Sequence, residues 1–283
     1  MSRKKSSRPP IPRFNTPIVE THCHLDYLPP EELGQTLALS AEVGIERIIT
    51  IAVSPGNLDT VLALAQDHSQ VWGTQGIHPH EAETYTTGVA ARIVSGLADQ
   101  RMLAVGEIGL DYHYDHSSRA VQRTVFEQQL QIAVDHGHPV VIHTRDADAD
   151  TRAILENFSG KLTRKGVIHS FTSGMELAEY CLGEGFYLGF NGIATFNNAH
   201  QVRAVIEAAP LQQILLETDT PYLTPVPYRG KPNGPFYLPF IGQCLARVKN
   251  CDTETLLEHA YQNSYRLFFP DNPPRQIGGN VTG

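Results

Sequence analysis

Residues 139–158 read PVVIHTRDADADTRAILENF, and this stretch contains one complete copy of the pattern that decides the fold. A short β-branched run ends at His143 and predicts a buried strand. The residues after it begin with acids, at Asp148 and Asp150, and continue with apolar residues at helical spacing. The stretch therefore predicts a strand that is followed directly by a helix.

The same unit recurs along the chain. Eight short apolar runs are bounded by turn residues: PIVETH, RIITIAV, VWGTQGI, MLAVGEI, PVVIH, KGVIHS, GFYLGF and QQILLET. Helix-like segments lie between these runs, and this alternation predicts a single-domain, TIM-like (β/α)8 barrel of the α/β class. An open doubly wound sheet is the alternative, but no GxGxxG motif follows any of the runs.

The expected barrel domain covers residues 17–269. Flexible tails are expected on both sides of it, a basic one at residues 1–16 and a second at residues 270–283. The segment after the eighth run, residues 219–236, reads DTPYLTPVPYRGKPNGPF. Its many Pro and Gly residues predict a long ordered loop over the mouth of the barrel.

Composition excludes several classes of protein. The formal net charge is −8, and outside the basic first thirteen residues the chain has 17 basic against 30 acidic residues. This balance argues against a broad basic surface that wraps nucleic acid. No apolar run reaches the roughly 18 residues of a membrane span, and the N-terminus lacks the apolar segment of a secretory signal. The four cysteines form no CxxC motif, which favours a cytoplasmic location.

Polar side chains follow the predicted strands at the end where a barrel carries its active site. They are His22, His24, His78, His80, Glu107, Asp111, His143, Arg145, His169, Glu217 and Asp219. His22 and His24 are two residues apart in an extended chain, so both point to the same face. Each histidine alone is more typical of a structural residue. Four histidines with a Glu and an Asp at one rim, however, are too many polar groups to bury without a shared partner, and a divalent cation is that partner.

These residues suffice for two cations. The ligands divide into two sets and one carboxylate that bridges them: His22, His24 and Asp219; His143 and His169; and the bridging Glu107. Two cations about 3.5–4 Å apart would hold a hydroxide between them, since a bound metal lowers the pKa of water towards about 7. Glu107 and Asp219 are the predicted catalytic residues, and Asp219 would accept the proton of the water or orient the hydroxide. The pattern predicts metal-assisted hydrolysis with Mg²⁺, Mn²⁺ or Zn²⁺.

Seven motifs, in this order, resemble those of the TatD family of metal-dependent hydrolases in the amidohydrolase superfamily. They are ETHCHLD, GIHPH, AVGEIGLDYH, PVVIHTRDA, VIHSFTS, FNGIATFNNA and ETDTPYL. The resemblance covers residues 17–269 and implies a TIM-like barrel, two divalent cations and deoxyribonuclease activity, in several members 3′-to-5′ exonuclease activity on single-stranded ends. It implies the same ligands: His22, His24, Glu107 and Asp219 for the first cation, and Glu107, His143 and His169 for the second.

The chain departs from the family's pattern at three positions. Glu20 stands where Asp is common, and Asn191 stands where Ser is common. Gly234 occupies the place of a Glu in the loop after the last strand, so any contact by which that Glu anchors the loop is missing.

Further residues are candidates for contacts with the substrate. Four of them are His78, Arg145, Asn191 and Arg229. The alternatives are a structural role for His78, a salt bridge to Asp146 or Asp148 for Arg145, and a solvated loop charge for Arg229. Glu217 is predicted either to orient a ligand histidine through its other ring nitrogen or to face the barrel interior in a paired state. Tyr112 and Phe190 are predicted either to stack on bases or to pack in the core.

Three functions fit these observations. The leading hypothesis is a two-metal phosphodiesterase that acts on DNA at single-stranded ends and needs no obligate protein partner. The alternative is a hydrolase of another bond, such as a lactone, an amide, a small phosphoester or a D-aminoacyl-tRNA ester, since hydroxide attacks carbonyl carbon and phosphorus alike. The third is a binding module with a decayed site, against which the complete ligand set argues.

Overall fold

A computed structural model describes residues 8–272 and 274 of the 283-residue chain. Within these residues, strands and helices alternate as the sequence predicts. The strands are β1 Ile18–Cys23, β2 Ile45–Thr50, β3 Val71–Gln75, β4 Met102–Asp111, β5 Val140–Arg145, β6 Gly166–Ile168, β7 Tyr187–Phe190 and β8 Ile214–Leu216. The helices are α1 Pro30–Glu42, α2 Leu58–Asp67, α3 Thr87–Leu97, α4 Arg119–His136, α5 Asp148–Phe158, α6 Met175–Gly183, α7 His200–Ala208, α8 Leu238–Val248 and α9 Thr253–Phe268.

The eight strands form one parallel sheet in sequence order, β1 to β8. Backbone hydrogen bonds join its two edges. The amide of Asp219 donates to the carbonyl of His22 at 2.9 Å, and the amide of His24 donates to the carbonyl of Thr220 at 2.8 Å. The chain is therefore a nearly closed, single-domain (β/α)8 barrel, which confirms the predicted fold and excludes the open doubly wound sheet.

Alternation along the strands decides which side chains enter the barrel. On β5, Ile142 packs in the core between strands and helices, whereas Val141 belongs to the apolar cluster inside the barrel. His143 follows Val141 on the same face, and His169 follows Val167 in the same way. Polar residues at the strand ends consequently face the mouth of the barrel, above apolar residues that fill its interior.

The end of α9 closes the opposite end of the barrel. Its residues share one buried apolar cluster with the barrel interior: Tyr261, Tyr265, Leu267 and Phe268, together with the adjoining Phe269. Leu103 and Tyr187, which belong to this cluster, lie in the first two residues of β4 and β7. The aromatic cluster therefore sits at the amino-terminal ends of the strands, away from the polar mouth.

Helices on the outside of the barrel bury one side against the strands. In α2, Leu58, Val61 and Ala65 are buried, at the three- and four-residue spacing of a helix face. None of the helices in the described ranges is both long and apolar enough to cross a membrane. The expected cytoplasmic location stays a prediction.

Residues 8–16, part of the predicted basic tail, lie against the barrel. The guanidinium of Arg8 donates to the carbonyl of Arg229 at 3.2 Å. The backbone amide of Thr16 donates to the carboxylate of Glu254, at the start of α9, at 3.0 Å. The rest of the predicted tails, apart from residues 270–272 and 274, lies outside the described residues.

The loop after β8 is held by Asn233. Its buried side-chain amide donates to the carbonyl of Thr218 at 2.9 Å and also to the carbonyl of Tyr222. The hydroxyl of Thr224 closes the loop by donating to the carbonyl of Lys231 at 2.6 Å. Asn233 therefore anchors the loop directly beside Gly234, where the sequence indicates that an anchoring Glu is missing.

Candidate metal centre

The structure brings the six predicted ligands together at the carboxyl-terminal mouth of the barrel. Each lies on a strand or within three residues of its end: His22, His24, Glu107, His143, His169 and Asp219. Together with His78, they form three overlapping groups, in each of which the donor atoms lie within 4.8 Å of one another. The groups are His22, His24 and Asp219; His22, Glu107 and His169; and His78, Glu107 and His143. Imidazole and carboxylate in this combination are the donors that divalent transition metals prefer.

Glu107 lies at the centre of the cluster and is buried. Its Oε2 is 3.5 Å from Nε2 of His22. Its Oε1 is 3.0 Å from Nδ1 of His143 and 3.3 Å from Nε2 of His169. The two carboxylate oxygens thus face the two predicted ligand sets separately, which is the arrangement required of a bridging carboxylate.

His22 tests whether a cation fits this site. The ring is fully buried and stacks on the ring of His169, with centroids 3.5 Å apart. Neither ring nitrogen of His22 has a hydrogen-bond partner among the described residues. Burying an unpaired polar atom costs about 1–3 kcal/mol, so a ligand is expected to satisfy it. A divalent cation held by His22, Glu107 and Asp219 would be such a ligand for Nε2 of His22, the nitrogen that faces both carboxylates.

His24 and Asp219 complete the first predicted set. Nδ1 of His24 lies 3.3 Å from the carbonyl of Ile51, and because a carbonyl only accepts, this nitrogen carries the proton in the neutral ring. Nε2 then carries the lone pair of the neutral ring, and it lies 3.5 Å from Oδ1 of Asp219. Burial lowers the pKa of His24, but the facing Asp219 raises it above its ordinary value, so a cation that binds Nε2 has to displace a proton.

Glu20 stands just before the ligands, where the family pattern commonly has Asp. It connects the two chain segments that carry the first ligand set. One oxygen of this fully buried carboxyl group accepts from the amides of His22 and Thr218, both at 3.0 Å. Burial raises the pKa of Glu20 to about 8, so the group is largely protonated at neutral pH. Its contacts set the spacing between β1 and the segment that carries Asp219.

A carboxylate stands behind each histidine of the second set. Oδ2 of Asp111 lies 3.1 Å from Nε2 of His143, on the opposite side of the ring from Glu107. Oε1 of Glu217 lies 3.2 Å from Nδ1 of His169, although this pair falls outside hydrogen-bond geometry. Such carboxylates fix the orientation of a metal-binding imidazole. The contact of Glu217 agrees with its predicted role, whereas the role of Asp111 was missed, and its position as the last residue of β4 was the available signal.

The position of Glu217 depends on one residue that follows β6 and on residues in and directly after β7. Its Oε1 also accepts from the amide of Ser170 at 2.6 Å. A Cβ at Gly189 would lie 2.3 Å from Oε2, so only glycine leaves room for this carboxylate. Asn191, a predicted substrate contact, is buried and donates to the hydroxyl of Ser170 at 2.8 Å. Asn191 therefore supports the residues around Glu217, and a contact with the substrate stays a prediction.

The charges of the cluster shift its pKa values in opposite directions. Burial raises the pKa of Glu107, but the surrounding histidines, His169 first, outweigh it, and the pKa lies well below its ordinary value. Burial lowers the pKa of His169, yet Glu217 and Glu107 raise it to about 10. Burial and the neighbouring His169 lower the pKa of His22. Glu107 is therefore ionised, and a cation that binds His169 has to displace a proton.

His78 also faces Glu107, but with a protonated ring nitrogen. Its Nδ1 accepts from the backbone amide of His80 at 3.1 Å, so the neutral ring carries its proton on Nε2. Burial lowers the pKa of His78 well below its ordinary value, which keeps the ring neutral. Nε2 lies 3.6 Å from Oε1 of Glu107. His78 therefore presents an N–H donor to the site rather than a lone pair, which suits the predicted contact with a phosphate oxygen.

The remaining candidates lie further out or in the core. Arg145 is exposed and its guanidinium lies 4.9 Å from the ring centre of Tyr114, whereas Arg229 lies 3.7 Å from the ring centre of Phe196. Phe190 is only 1% exposed, which agrees with the core-packing alternative. Tyr112 donates a hydrogen bond of 2.5 Å to Asp150 on the outside of the barrel. These contacts place the two arginines outside the metal cluster.

Sequence comparison gives matches over nearly the whole barrel. A sequence model of the family described as TatD related DNase matches residues 19–269. An uncharacterized metal-dependent hydrolase of Escherichia coli (strain K12), YcfH, is 37% identical over 261 residues, covering 90% of this chain and 96% of that protein. A protein of Cronobacter turicensis named 3′-5′ ssDNA/RNA exonuclease TatD is 33% identical over 245 residues, covering 85% of this chain and 93% of that protein.

Solved structures give the same picture. YjjV, a TatD homolog from Escherichia coli K12, superposes with a TM-score of 0.85 at 29% identity, covering 92% of this chain and all of that chain. A TatD family hydrolase from Entamoeba histolytica superposes with a TM-score of 0.81 at 19% identity, covering 90% of this chain and 99% of that chain, and shows the fold alone. The matched range, residues 19–269, contains all six predicted ligands.

Proposed function

The chain belongs to the family of TatD-related DNases, and from that premise we propose that it is a metal-dependent deoxyribonuclease that shortens single-stranded DNA from its 3′ end. The coarser function, metal-dependent hydrolysis, comes with the family. One observation carries the finer proposal. The two oxygens of Glu107 face His22 on one side and His143 with His169 on the other, as a two-cation site for phosphodiester cleavage requires.

Two cations would be held by the residues predicted from the strand ends. His22, His24 and Asp219 would hold one, and His143 and His169, which both lie within 3.3 Å of Oε1 of Glu107, would hold the other, with Glu107 as a ligand to both. When bound, the cations neutralise charge on the phosphate and lower the pKa of a water towards about 7.

The chain's own residues supply orientation and proton transfer. Asp219 is ionised, since burial raises its pKa but His24 and the other histidines lower it below its ordinary value, and it accepts a proton from the attacking water. His78 donates its Nε2–H to a phosphate oxygen. Asp111 and Glu217 hold the rings of His143 and His169 in place. Each step uses a group that the structure already orients.

A direct test uses single-stranded DNA with a label on the 5′ end, incubated with Mg²⁺ or Mn²⁺ and then with EDTA. We expect a ladder of products shortened from the 3′ end, which EDTA abolishes. The same oligonucleotide with phosphorothioate links at its 3′ end should resist, whereas links at its 5′ end should have no effect. Blunt duplex of the same sequence should be cut more slowly, because its terminal nucleotides are paired.

Assays with other substrates would show whether the proposal has to be rejected. An RNA oligonucleotide of the same sequence tests the wider range that the name of the Cronobacter relative covers. Turnover of lactones, small phosphoesters or D-aminoacyl-tRNA without cleavage of any oligonucleotide would instead favour the alternative hydrolase. Loss of both kinds of activity, with no bound or bindable cation, would favour the binding module.

A further inference from the structure

Exposed aromatic side chains collect around the metal centre. Among the described residues, four large apolar side chains are strongly exposed: Tyr27 at 44%, Tyr114 at 53%, Tyr222 at 56% and Val226 at 45%. The three tyrosines lie on the segments that follow β1, β4 and β8, at the mouth of the barrel. Apolar surface grouped around a site is typical of a binding surface, whereas scattered apolar residues are common.

Tyr27 and Tyr222 form the first group, named here the Tyr222 platform. The ring of Tyr27 lies parallel to the ring of His24, with centroids 5.0 Å apart and planes at 16°. Tyr222 stands edge-on to Tyr27 at 6.5 Å. Because Nε2 of His24 faces Asp219 at 3.5 Å, this platform begins one ring away from the first predicted ligand set.

Tyr114, His116 and Arg145 form the second group, named here the Tyr114 platform. The rings of Tyr114 and His116 are parallel, with planes at 10° and centroids 5.7 Å apart. The guanidinium of Arg145 lies 4.9 Å from the ring centre of Tyr114 and brings a positive charge to it. The group is therefore aromatic and cationic on one exposed surface.

The Tyr114 platform is fixed to the other side of the metal centre. Oδ1 of Asp111 accepts from the backbone amide of Tyr114 at 3.0 Å, and Oδ2 faces His143 at 3.1 Å. The residue that orients His143 therefore also positions Tyr114. His80 fills the space between them, since its ring lies 5.5 Å from Tyr114 and 6.4 Å from His143.

We propose that the Tyr222 and Tyr114 platforms each stack one unpaired nucleobase, one on either side of the phosphodiester that is cleaved. This inference rests on the proposed nuclease function and assigns its substrate as a single strand whose last two nucleotides are unstacked. Stacking on aromatic rings tolerates any base sequence, since every base has a π-face. It also supplies affinity to a chain of net charge −8, which lacks the charge balance of a broad basic surface.

The test pairs each platform with the base it is expected to hold. Tyr222→Ala and Tyr114→Ala should each raise KM for single-stranded DNA by about 5- to 150-fold, as expected for a lost stacked base. The matched controls Tyr222→Phe and Tyr114→Phe keep the ring and should stay close to the native KM. Substrates with one abasic nucleotide on either side of the 3′-terminal phosphodiester complete the design. Each alanine variant should have the same KM as the native protein on the substrate that lacks the base its platform would stack, and a higher KM on the other substrate. The substrate on which KM is unchanged should differ between the two variants.

A second measurement does not depend on turnover. 2-Aminopurine at the same two positions should lose fluorescence when the oligonucleotide binds in EDTA. Each alanine variant should abolish this loss at one position, and the phenylalanine variants should keep it. Unchanged KM and quenching in both alanine variants, with normal cleavage of DNA, would overturn the platforms but leave the nuclease proposal standing. Native protein that cleaves no oligonucleotide would reject the nuclease proposal itself.

Discussion

The two ends of the barrel are built from the same strands but bury opposite kinds of side chain. At the amino-terminal end, Phe268 and Phe269 of the aromatic cluster are almost fully buried among apolar neighbours. At the carboxyl-terminal end, the buried residues are His22, Glu107 and His169, and the ring nitrogens of His22 find no hydrogen-bond partner in the described ranges. Apolar burial lowers the free energy of the fold, whereas unsatisfied polar burial raises it until a ligand binds.

Because of this difference, we expect one end of the barrel to contribute mainly to stability and the other mainly to chemistry. Side chains at the amino-terminal end contribute by the apolar area that they remove from water. Side chains at the mouth contribute by their orientation, which the surrounding structure has to maintain. Substitutions at the first end are therefore expected to change unfolding, and substitutions at the mouth to change metal binding and turnover.

The largest effect is expected at Glu107. Glu107→Gln removes the charge that both predicted cations share, so nuclease activity should fall by about a thousandfold or more, equivalent to about 4 kcal/mol. The rise in melting temperature that Mn²⁺ gives the native protein should shrink in the same variant. Glu127→Gln, on the exposed side of α4, is the matched control and should behave like the native protein. Turnover within tenfold of the native rate in Glu107→Gln would remove its bridging role.

The second prediction concerns the other end. Phe268→Ala should lower the free energy of unfolding by about 3–5 kcal/mol, because a buried aromatic ring is lost and a cavity is left. Urea denaturation measures this loss, and Phe268→Leu should show a smaller one. The increment in melting temperature on adding Mn²⁺ should remain, since the mouth is untouched. A variant that kept its stability but lost its response to Mn²⁺ would contradict the division between the two ends.

A smaller effect is expected where a residue acts through a ligand. Asp111→Asn keeps the shape of the side chain but removes the charge behind His143, so affinity for one cation should fall by about 10- to 100-fold. Calorimetric titration with Mn²⁺ can resolve the weakened site from the intact one. His80→Gln is the control, because Nε2 of His80 contacts the same oxygen of Asp111 at 2.9 Å but belongs to none of the three donor groups. An equal loss of Mn²⁺ affinity in the two variants would mean that Asp111 does not act specifically through His143.

Much of this architecture follows from local sequence. Buried parallel strands are short continuous apolar runs, so stretches such as PVVIH mark their own positions. His143 and His169 stand two residues beyond interior valines, and this parity alone predicts that both point into the mouth. The same count does not give the first set, because His22 stands three residues beyond the interior Val19 and the pairing of β1 with β2 shifts its register between Glu20 and Cys23.

The orientation of each ring is not predictable in this way. His78 and His143 both lie at the mouth, yet one presents a protonated nitrogen to Glu107 and the other is backed by Asp111. The difference depends on which acceptor or donor reaches the far side of each ring, and those partners come from other loops. The contact of Arg8 with Arg229 joins residues 221 positions apart, and no local pattern encodes it.

The smallest effect is expected at Arg47, whose charged side chain lies against the aromatic cluster at the amino-terminal end of the barrel. The guanidinium of Arg47 lies 4.2 Å from the ring centre of Phe269 and 4.7 Å from that of Tyr265, and its buried Nη1 has no hydrogen-bond acceptor within residues 8–272 and 274. The rings surround this charge together with the carboxylate of Glu46, whose Oε1 lies 3.8 Å from Nε of Arg47, and Arg47→Met should lower the free energy of unfolding by about 1–2 kcal/mol. Arg92→Met removes an exposed arginine that pairs with Asp59 at 2.9 Å, and it should cost no more than about 0.5 kcal/mol. Equal losses in urea denaturation would show that the aromatic end gains its stability from apolar area alone, with no share from the cation that its rings enclose.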